Sequence, residues 1–169
     1  MISAEYARVM ARYNRWQNRS VFAAADSLGD AARRRDRGAF FGSVHKTLNH
    51  LLWADQMWMH RLAETPKPAA PTISASVDLH RDWPDLRVAR QAFDETIVGW
   101  TSGLSDADLE GDLVFFSGVL QREASQPKWR CLAHMLNHQT HHRGQVHAML
   151  TAAGAKTGDT DLFLMPDDA

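Results

Sequence analysis

Residues 131–150 read CLAHMLNHQTHHRGQVHAML, and their apolar members recur mostly at three- and four-residue steps. On a helical wheel at about 100° per residue, these apolar residues form one broad arc. The arc comprises Leu132, Leu136, Val146, Met149 and Leu150. The stretch therefore predicts a long amphipathic helix, which we place from about Pro127 to Ala153, with Gly154 as its stop signal.

Three earlier segments show the same helical period. They run from Ala4 to about Leu28, from about Phe41 to Ala63, and from about Trp83 to Leu104. The third of them starts with a proline and an acid in its first turn, which both favour a helix N-terminus. Four long helices, each with one hydrophobic face, predict an all-α four-helix bundle.

The connections between the helices bear on the topology of this bundle. Between the second and third helices, Glu64–Val77 contains three prolines and reads as an extended linker. A linker of about 18 residues spans up to roughly 60 Å, whereas a helix of about 22 residues is about 33 Å long. Its length therefore permits a long crossover that makes the second and third helices parallel. Asp112–Gln126, before the fourth helix, predicts a short β-hairpin.

Composition and charge exclude several classes of protein. With 169 residues, of which 44% are hydrophobic and 23% charged, the chain has ordinary globular usage and the length of a single domain, residues 1–169. The net charge of −1 provides no field to attract nucleic acid. No apolar stretch is long enough to span a bilayer. The single cysteine, Cys131, is typical of a reducing compartment, and we expect a soluble cytoplasmic protein with no nucleic-acid or membrane partner.

Two further segments carry local predictions. The basic run from Arg33 to Arg37 lies among Ala, Asp and Gly residues and is interpreted as a solvated loop between helices. The tail Asp161–Pro166 contains four apolar residues before its proline, and we expect it to pack back onto the bundle through them.

Histidines are concentrated in the fourth predicted helix, where five of the nine lie between His134 and His147. His138 and His142, four residues apart, lie on one shoulder of the apolar arc. Two imidazoles at this spacing lie one above the other and converge on a single metal ion. His134 and His141 lie further toward the polar side, and His147 faces away from the arc.

A third metal ligand is expected from the second helix, which contains three histidines. His50 lies on the apolar side of that helix. The polar side is a narrow arc of His45, Asn49, Gln56 and His60. We therefore predict that His50 turns inward to meet His138 and His142. Three neutral imidazoles with open coordination positions are typical of a catalytic site, and they suit zinc, nickel, copper or iron.

The histidines also have a plainer interpretation. A pair at i and i+4 recurs by chance in a histidine-rich chain, and a histidine at the edge of an apolar face is often a satisfied core residue. Cys131, two turns before His138 on the same face, is interpreted as a small buried residue rather than as a fourth ligand.

Two charged residues fall inside the predicted apolar arcs, Asp55 on the second helix and Arg143 on the fourth. Buried charges are costly unless they are paired, so we predict that these two residues meet each other or orient a ligand. For Arg143, an alternative is that its side chain reaches the surface or lies at a subunit interface.

Two separated motifs resemble those of the DinB family, which is named for DNA-damage-inducible proteins. Residues 137–150, NHQTHHRGQVHAML, resemble the signature helix of that family. Residues 40–43, FFGS, and 47–55, TLNHLLWAD, resemble its second-helix motif. The order of the segments, including the long second connection, is similar from end to end.

The resemblance implies a four-helix bundle with a parallel middle pair, assembled as a homodimer. It also implies a divalent metal held by three histidines, which on this chain are His50, His138 and His142. His141 is the nearest rival for the third position, and its angle on the wheel disfavours it. Family members of known activity include metal-dependent thiol transferases and a thiol-dependent isomerase, which use low-molecular-weight thiols.

The leading hypothesis is a metal-dependent enzyme of the thiol S-transferase or hydrolase type, with a thiol and a small electrophile as partners. Zinc is the expected metal, with nickel and iron as alternatives, and it would lower the pKa of a bound thiol or water. Asp55, His134 and His141 are candidates for the general base. The alternatives are a non-catalytic metal-binding or stress-responsive homodimer, and a helical bundle that binds no metal.

Overall fold

The computed structural model describes residues 2–169, and its elements follow the predicted order. They are α1 (Ala4–Asp26), α2 (Asp30–Arg34), α3 (Val44–Ala63), α4 (Trp83–Ser102), β1 (Asp112–Ser117), β2 (Arg122–Pro127) and α5 (Lys128–Ala152). The long helices α1, α3, α4 and α5 correspond to the four predicted helices. The strands β1 and β2 pair as an antiparallel hairpin, as predicted.

The helix ends follow local capping chemistry. The hydroxyl of Ser43 accepts a hydrogen bond from the backbone N–H of Lys46 at 3.2 Å, so α3 begins at Val44. The start predicted at about Phe41 was therefore early by three residues, and Phe41 lies in the preceding turn. After α5, Gly154 adopts a φ of 81°, the left-handed conformation that ends helices.

The crossover makes the middle pair of helices parallel. Near the start of both helices, the ring of His45 on α3 lies 6.2 Å from the ring of Trp83 on α4. Further along both helices, Asp55 of α3 contacts Arg90 of α4 at 2.6 Å. The contacts advance in the same direction on both helices, which confirms the long crossover through residues 64–82.

The helix α5 runs antiparallel to α3, and this direction decides which of their side chains meet. The rings of His50 and His142 lie 4.9 Å apart, whereas Trp58, two turns after His50, lies 5.0 Å from His134, two turns before His142. The helix α1 is antiparallel to α4, because Arg15 contacts Glu95 at 2.6 Å and the earlier Arg8 contacts Leu104 at 2.8 Å.

Two apolar clusters fill the interior, one toward each end of the bundle. One includes Phe22, Leu48, Leu52, Leu86, Val146 and Leu150. The other includes Ala11, Met59, Ile97, Leu132, Met135 and Leu136. Between them, every long helix contributes buried polar residues: Asn14, Asn18, Asp55, Arg90, Asp94, Gln139 and Arg143. The core is therefore divided by a polar layer across the middle of the bundle.

The prediction of a solvated loop for the basic run was wrong in part. Arg33 and Arg34 belong to α2, and Arg33 is buried. Its guanidinium carbon lies 4.7 Å from the centre of the Trp83 ring, because α2 folds against the start of α4.

The prediction that the tail packs through its apolar residues was also wrong. Leu162, Phe163 and Leu164 are 44%, 84% and 46% exposed. Polar contacts hold this end of the chain instead. The hydroxyl of Tyr13 donates to the carbonyl oxygen of Thr160 at 2.6 Å, and the side-chain amide of Gln17 donates to the carbonyl oxygen of Asp159 at 2.9 Å.

Within residues 2–169, none of the helices combines the length and the apolar composition that a bilayer span requires.

Candidate metal centre

Three histidines meet where α3 crosses α5. One ring nitrogen from each of His50, His138 and His142 lies within 4.8 Å of the other two. The Nε2 atoms of His138 and His142 are 3.1 Å apart, as their spacing on one helix predicts. The structure thus brings together the three residues selected from the sequence.

The crossover segment orients the ring of His50. The hydroxyl of Ser76 donates to the carbonyl oxygen of Ile73 at 2.6 Å. Because the hydroxyl proton of Ser76 is used in that bond, the Ser76 oxygen accepts a hydrogen bond from the protonated Nδ1 of His50 at 2.8 Å. The Nε2 lone pair of His50 consequently remains free to bind a cation.

A glutamine on α5 orients the ring of His142 in the same way. Nδ1 of His142 donates to the side-chain oxygen of Gln145 at 2.8 Å. The amide nitrogen of Gln145 in turn donates to Nε2 of His141 at 3.2 Å. His142 therefore presents Nε2, with its lone pair free, toward His138.

Burial keeps these imidazoles neutral. It lowers the pKa of both His50 and His138 to about 3, with a smaller contribution from the charge of His142. Burial also lowers the pKa of His142. All three rings are therefore unprotonated at neutral pH, the form in which histidine binds metals.

The donor set fits a divalent transition metal. Two nitrogens bound to a tetrahedral zinc at about 2.05 Å each lie about 3.3 Å apart. The 3.1 Å separation between the Nε2 atoms of His138 and His142 is close to that value. Nε2 of His138 is the ring nitrogen that faces His142. Its Nδ1 is buried and has no hydrogen-bond partner within residues 2–169.

Aromatic rings cover one side of the histidine cluster. The ring of Phe41 lies 4.0 Å from that of His50 and 5.5 Å from that of His142. The ring of Trp53 lies 5.8 Å from that of His50. His138 is half-buried whereas His50 and His142 are buried, so the cluster is least covered at His138.

The other histidines of α5 and the cysteine lie outside the cluster. His141 is exposed, in agreement with its angle on the wheel. His134 is also exposed, with its ring 5.8 Å from that of His138. Cys131 is 3% exposed, which confirms its interpretation as a small buried residue. Burial raises the pKa of its thiol.

The predicted pairing of Asp55 with Arg143 was wrong. Asp55 pairs instead with Arg90, whose Nη1 lies 2.6 Å from its Oδ2. The guanidinium carbon of Arg143 lies 5.7 Å from the centre of the Tyr13 ring. Its two terminal nitrogens are buried and have no hydrogen-bond partner in the part of the chain that the structure describes. Arg143 is 5% exposed, so the alternative that it reaches the surface was wrong as well. Burial lowers the pKa of Arg143 to about 10.

The prediction that His45 and Asn49 lie on the polar side of the second helix was wrong, because both residues are buried. The crossover covers them, since the backbone N–H of His80 donates to the side-chain oxygen of Asn49 at 2.7 Å. Nε2 of His45 lies 3.1 Å from the carbonyl oxygen of His80. Burial lowers the pKa of His45.

Sequence reasoning missed Arg90 and Ser76, both of which the structure makes important. The sequence could have indicated Arg90, because this charged residue lies one turn after Leu86 and two turns before Ile97, on the apolar face of α4. No sequence pattern indicates Ser76, since it lies in a linker and its contact with His50 depends on how the linker folds over α3.

Comparison with known proteins identifies a matching family and a similar protein. The family model described as the DinB family matches residues 1–169. The chain belongs to the DinB family. Protein DinB of Bacillus subtilis (strain 168) is 22% identical to it over 165 residues, covering 95% of this chain and 94% of that protein.

A solved structure shares the fold of this DinB-family chain. The crystal structure of a DinB-like protein from Bacillus cereus ATCC 10987 matches it with a TM-score of 0.65 at 17% sequence identity. The match covers 85% of this chain and 90% of that one. Together with the family match, it confirms the resemblance drawn from the two motifs.

Proposed function

We propose that this chain binds a divalent transition metal through His50, His138 and His142 and acts as a metal-dependent enzyme of the thiol S-transferase or hydrolase type. The convergence of three neutral imidazoles, the least covered of which is that of His138, is the observation that supports it. Zinc suits three histidines with an open position best, and nickel and iron are alternatives. A metal bound there would lower the pKa of a thiol or water and polarise an electrophile.

The surrounding residues have separate roles in this proposal. Ser76 and Gln145 hold the rings of His50 and His142 in the required orientation. Phe41 and Trp53 exclude water from the covered side, which strengthens electrostatic interactions within the site.

His134 is the residue we propose as the proton acceptor for the thiol or water. It is exposed and one turn from His138, where the cluster is least covered. Nε2 of His141 already accepts a hydrogen bond from Gln145. Asp55 is buried in its ion pair with Arg90 and does not reach the site.

The test of catalysis is a screen of zinc-, nickel- and iron-loaded protein. Each form is offered a panel of low-molecular-weight thiols with epoxides, alkyl halides and activated esters. We expect metal-dependent turnover that is lost in His142→Ala and retained in His147→Ala, whose ring lies on the same helix and contacts Thr157 at 2.7 Å. Thiol use would suit the reducing cytoplasm, where we place the chain.

Metal binding without turnover on any member of the panel would contradict the enzyme proposal. It would favour the alternative of a non-catalytic metal-binding homodimer. Sedimentation of the metal-loaded protein then tests the dimer, which we expect in either case.

Removing the hydrogen bond that Nδ1 of His50 donates to the hydroxyl oxygen of Ser76 should weaken metal binding. We expect Ser76→Ala to lower zinc affinity about tenfold to hundredfold, since the ring of His50 loses the contact that fixes its orientation. Competition with a chelating dye measures this affinity. Ser74→Ala is the matched control, because Ser74 is exposed and contacts only Thr72 through its hydroxyl. Equal affinities in the two variants would contradict the role of Ser76.

A further inference from the structure

Aromatic side chains lead from the histidine cluster to an arginine on α3. The ring of Trp58 lies 5.0 Å from that of His134 and 5.4 Å from that of Phe115, which belongs to β1. The guanidinium carbon of Arg61 lies 4.7 Å from the centre of the Trp58 ring and 4.6 Å from the centre of the Phe115 ring. Two aromatic rings thus hold this cation in place.

No Asp or Glu within residues 2–169 forms an ion pair with Arg61, unlike with Arg15, Arg34 and Arg87. Among the same residues, its hydrogen-bond acceptor is the carbonyl oxygen of Phe116, 3.2 Å from Nη2. Burial lowers the pKa of Arg61, and no carboxylate acts against that shift. A half-buried cation without an anion is costly, and such groups often mark a ligand site.

The guanidinium of Arg61 has more N–H donors than residues 2–169 engage. The rings of Trp58 and Phe115 are inclined at 72° to each other, so the planar guanidinium lies flat on at most one of them. It has five N–H donors in its plane. The bond to Phe116 uses one of these donors. A planar fork of this kind matches the two oxygens of a carboxylate.

Arg61 and His50 lie on the same face of α3, because their spacing is close to a whole number of helical turns. Arg61 is three turns after His50, about 16 Å further along α3. His134 and Trp58 lie between Arg61 and His138, and their rings are in contact. A ligand that reaches from the histidines to Arg61 must therefore be extended and must lie along these rings.

We propose that Arg61 binds the carboxylate of an extended ligand whose thiol or electrophilic end lies at the histidine cluster. This inference rests on the proposed function for the reactive end of the ligand. It names the substrate class as low-molecular-weight acids that carry the reactive group at the end opposite their carboxylate. The aromatic rings between the two ends contact the middle of the ligand.

The experiment measures the binding of ω-mercaptoalkanoates, from three to eleven carbons, to the zinc-loaded chain by isothermal titration calorimetry. The primary amide of each acid is the uncharged probe. We expect the longer acids to bind about tenfold more tightly than their amides, and the shortest acid to show no such preference. Arg61→Gln should remove the preference, because the affinity for the acids should fall to that for the amides.

Two other variants control for charge and for folding. Arg130→Gln should keep the preference. The guanidinium carbon of Arg130 also lies near an aromatic ring, 5.5 Å from the centre of the Trp129 ring, but that ring is not one of those between the histidines and Arg61. Arg61→Lys should retain only part of it, since an ammonium lacks the planar fork. Equal binding of acids and amides by the wild-type chain at every length overturns the proposal. If Arg61→Gln does not fold, a full acid preference in Arg61→Lys overturns it instead.

Metal-free protein separates this inference from the proposed function. Alkanoates without a thiol, compared with their amides, test Arg61 alone. If no thiol binds at the histidines but the alkanoates retain an Arg61-dependent preference, the proposed function fails and the Arg61 site stands. If thiols bind in a metal-dependent way but no preference depends on Arg61, the function stands and the Arg61 site fails.

Discussion

Replacing Arg90 by methionine should lower the free energy of unfolding by about 3–5 kcal/mol, the largest effect on stability that we expect in this chain. Arg90 contacts Asp55 at 2.6 Å and Asp94 at 2.8 Å, and all three side chains are at most 3% exposed. Without the guanidinium, both carboxylates would lose their buried partner. Urea unfolding measures the change, and for a chain of this size it corresponds to a loss of roughly 10 °C in Tm.

Arg87→Met is the matched control for that variant. Arg87 lies one turn earlier on the same helix and contacts Asp26 at 2.9 Å, but its side chain is 46% exposed. Exposed ion pairs contribute about 0–1 kcal/mol, so this variant should remain close to the wild type. Equal losses in the two variants would contradict the importance of burial for Arg90.

Burial also shifts the pKa values of Arg90 and its two carboxylate partners. Burial raises the pKa of Asp55 and of Asp94 although Arg90 lies beside them. Burial alone would lower the pKa of Arg90. The negative charges of Asp94 and Asp55 have the larger combined effect, so the pKa of Arg90 is raised. Each charge therefore depends on the others, and removing one destabilises the remaining two.

Replacing any of the three clustered histidines by alanine should abolish stable metal binding. We expect tag-free wild-type protein to retain about one zinc per chain after dialysis, and His50→Ala, His138→Ala and His142→Ala to retain almost none. Two imidazoles alone are a poor site, and we expect the affinity to fall by roughly 100-fold or more. Elemental analysis measures the metal content.

Thermal unfolding gives a second measure of the same site. Zinc should raise the Tm of the wild type, because a ligand that binds only the folded state stabilises it, and should leave the Tm of the three variants unchanged. His147→Ala should behave as the wild type, since His147 lies outside the cluster. A wild-type chain that neither retains nor regains zinc, nickel or iron would support the interpretation as a bundle without metal.

The site could be predicted where its geometry lies within one helix. His138 and His142 are neighbours on α5 because of their spacing alone, and that pair was evident before the fold was known. His50 was selected from its place on the apolar side of its helix. Ser76 could not be predicted, because the path of the crossover decides which linker residue reaches His50.

Charge pairing in the interior was predicted only in part. The wheel indicated that Asp55 and Arg143 lie on apolar faces, and both are buried. It did not give the partner of Asp55, because a wheel describes one helix and the parallel arrangement of α3 and α4 brings Arg90 to that carboxylate. Arg61 was not selected at all, since its importance depends on a ring contributed by the hairpin.

The four helices, the hairpin and the inward position of the three histidines could all be predicted from local sequence. These features depend on periodicity, turn residues and capping, which act over a few neighbouring residues. The neighbours of each helix, the covering of His45 and Asn49 by the crossover, and the charge pairs of the polar layer became known only from the packed fold. Those outcomes depend on contacts between residues far apart in the chain, whose partners are set by how whole helices pack.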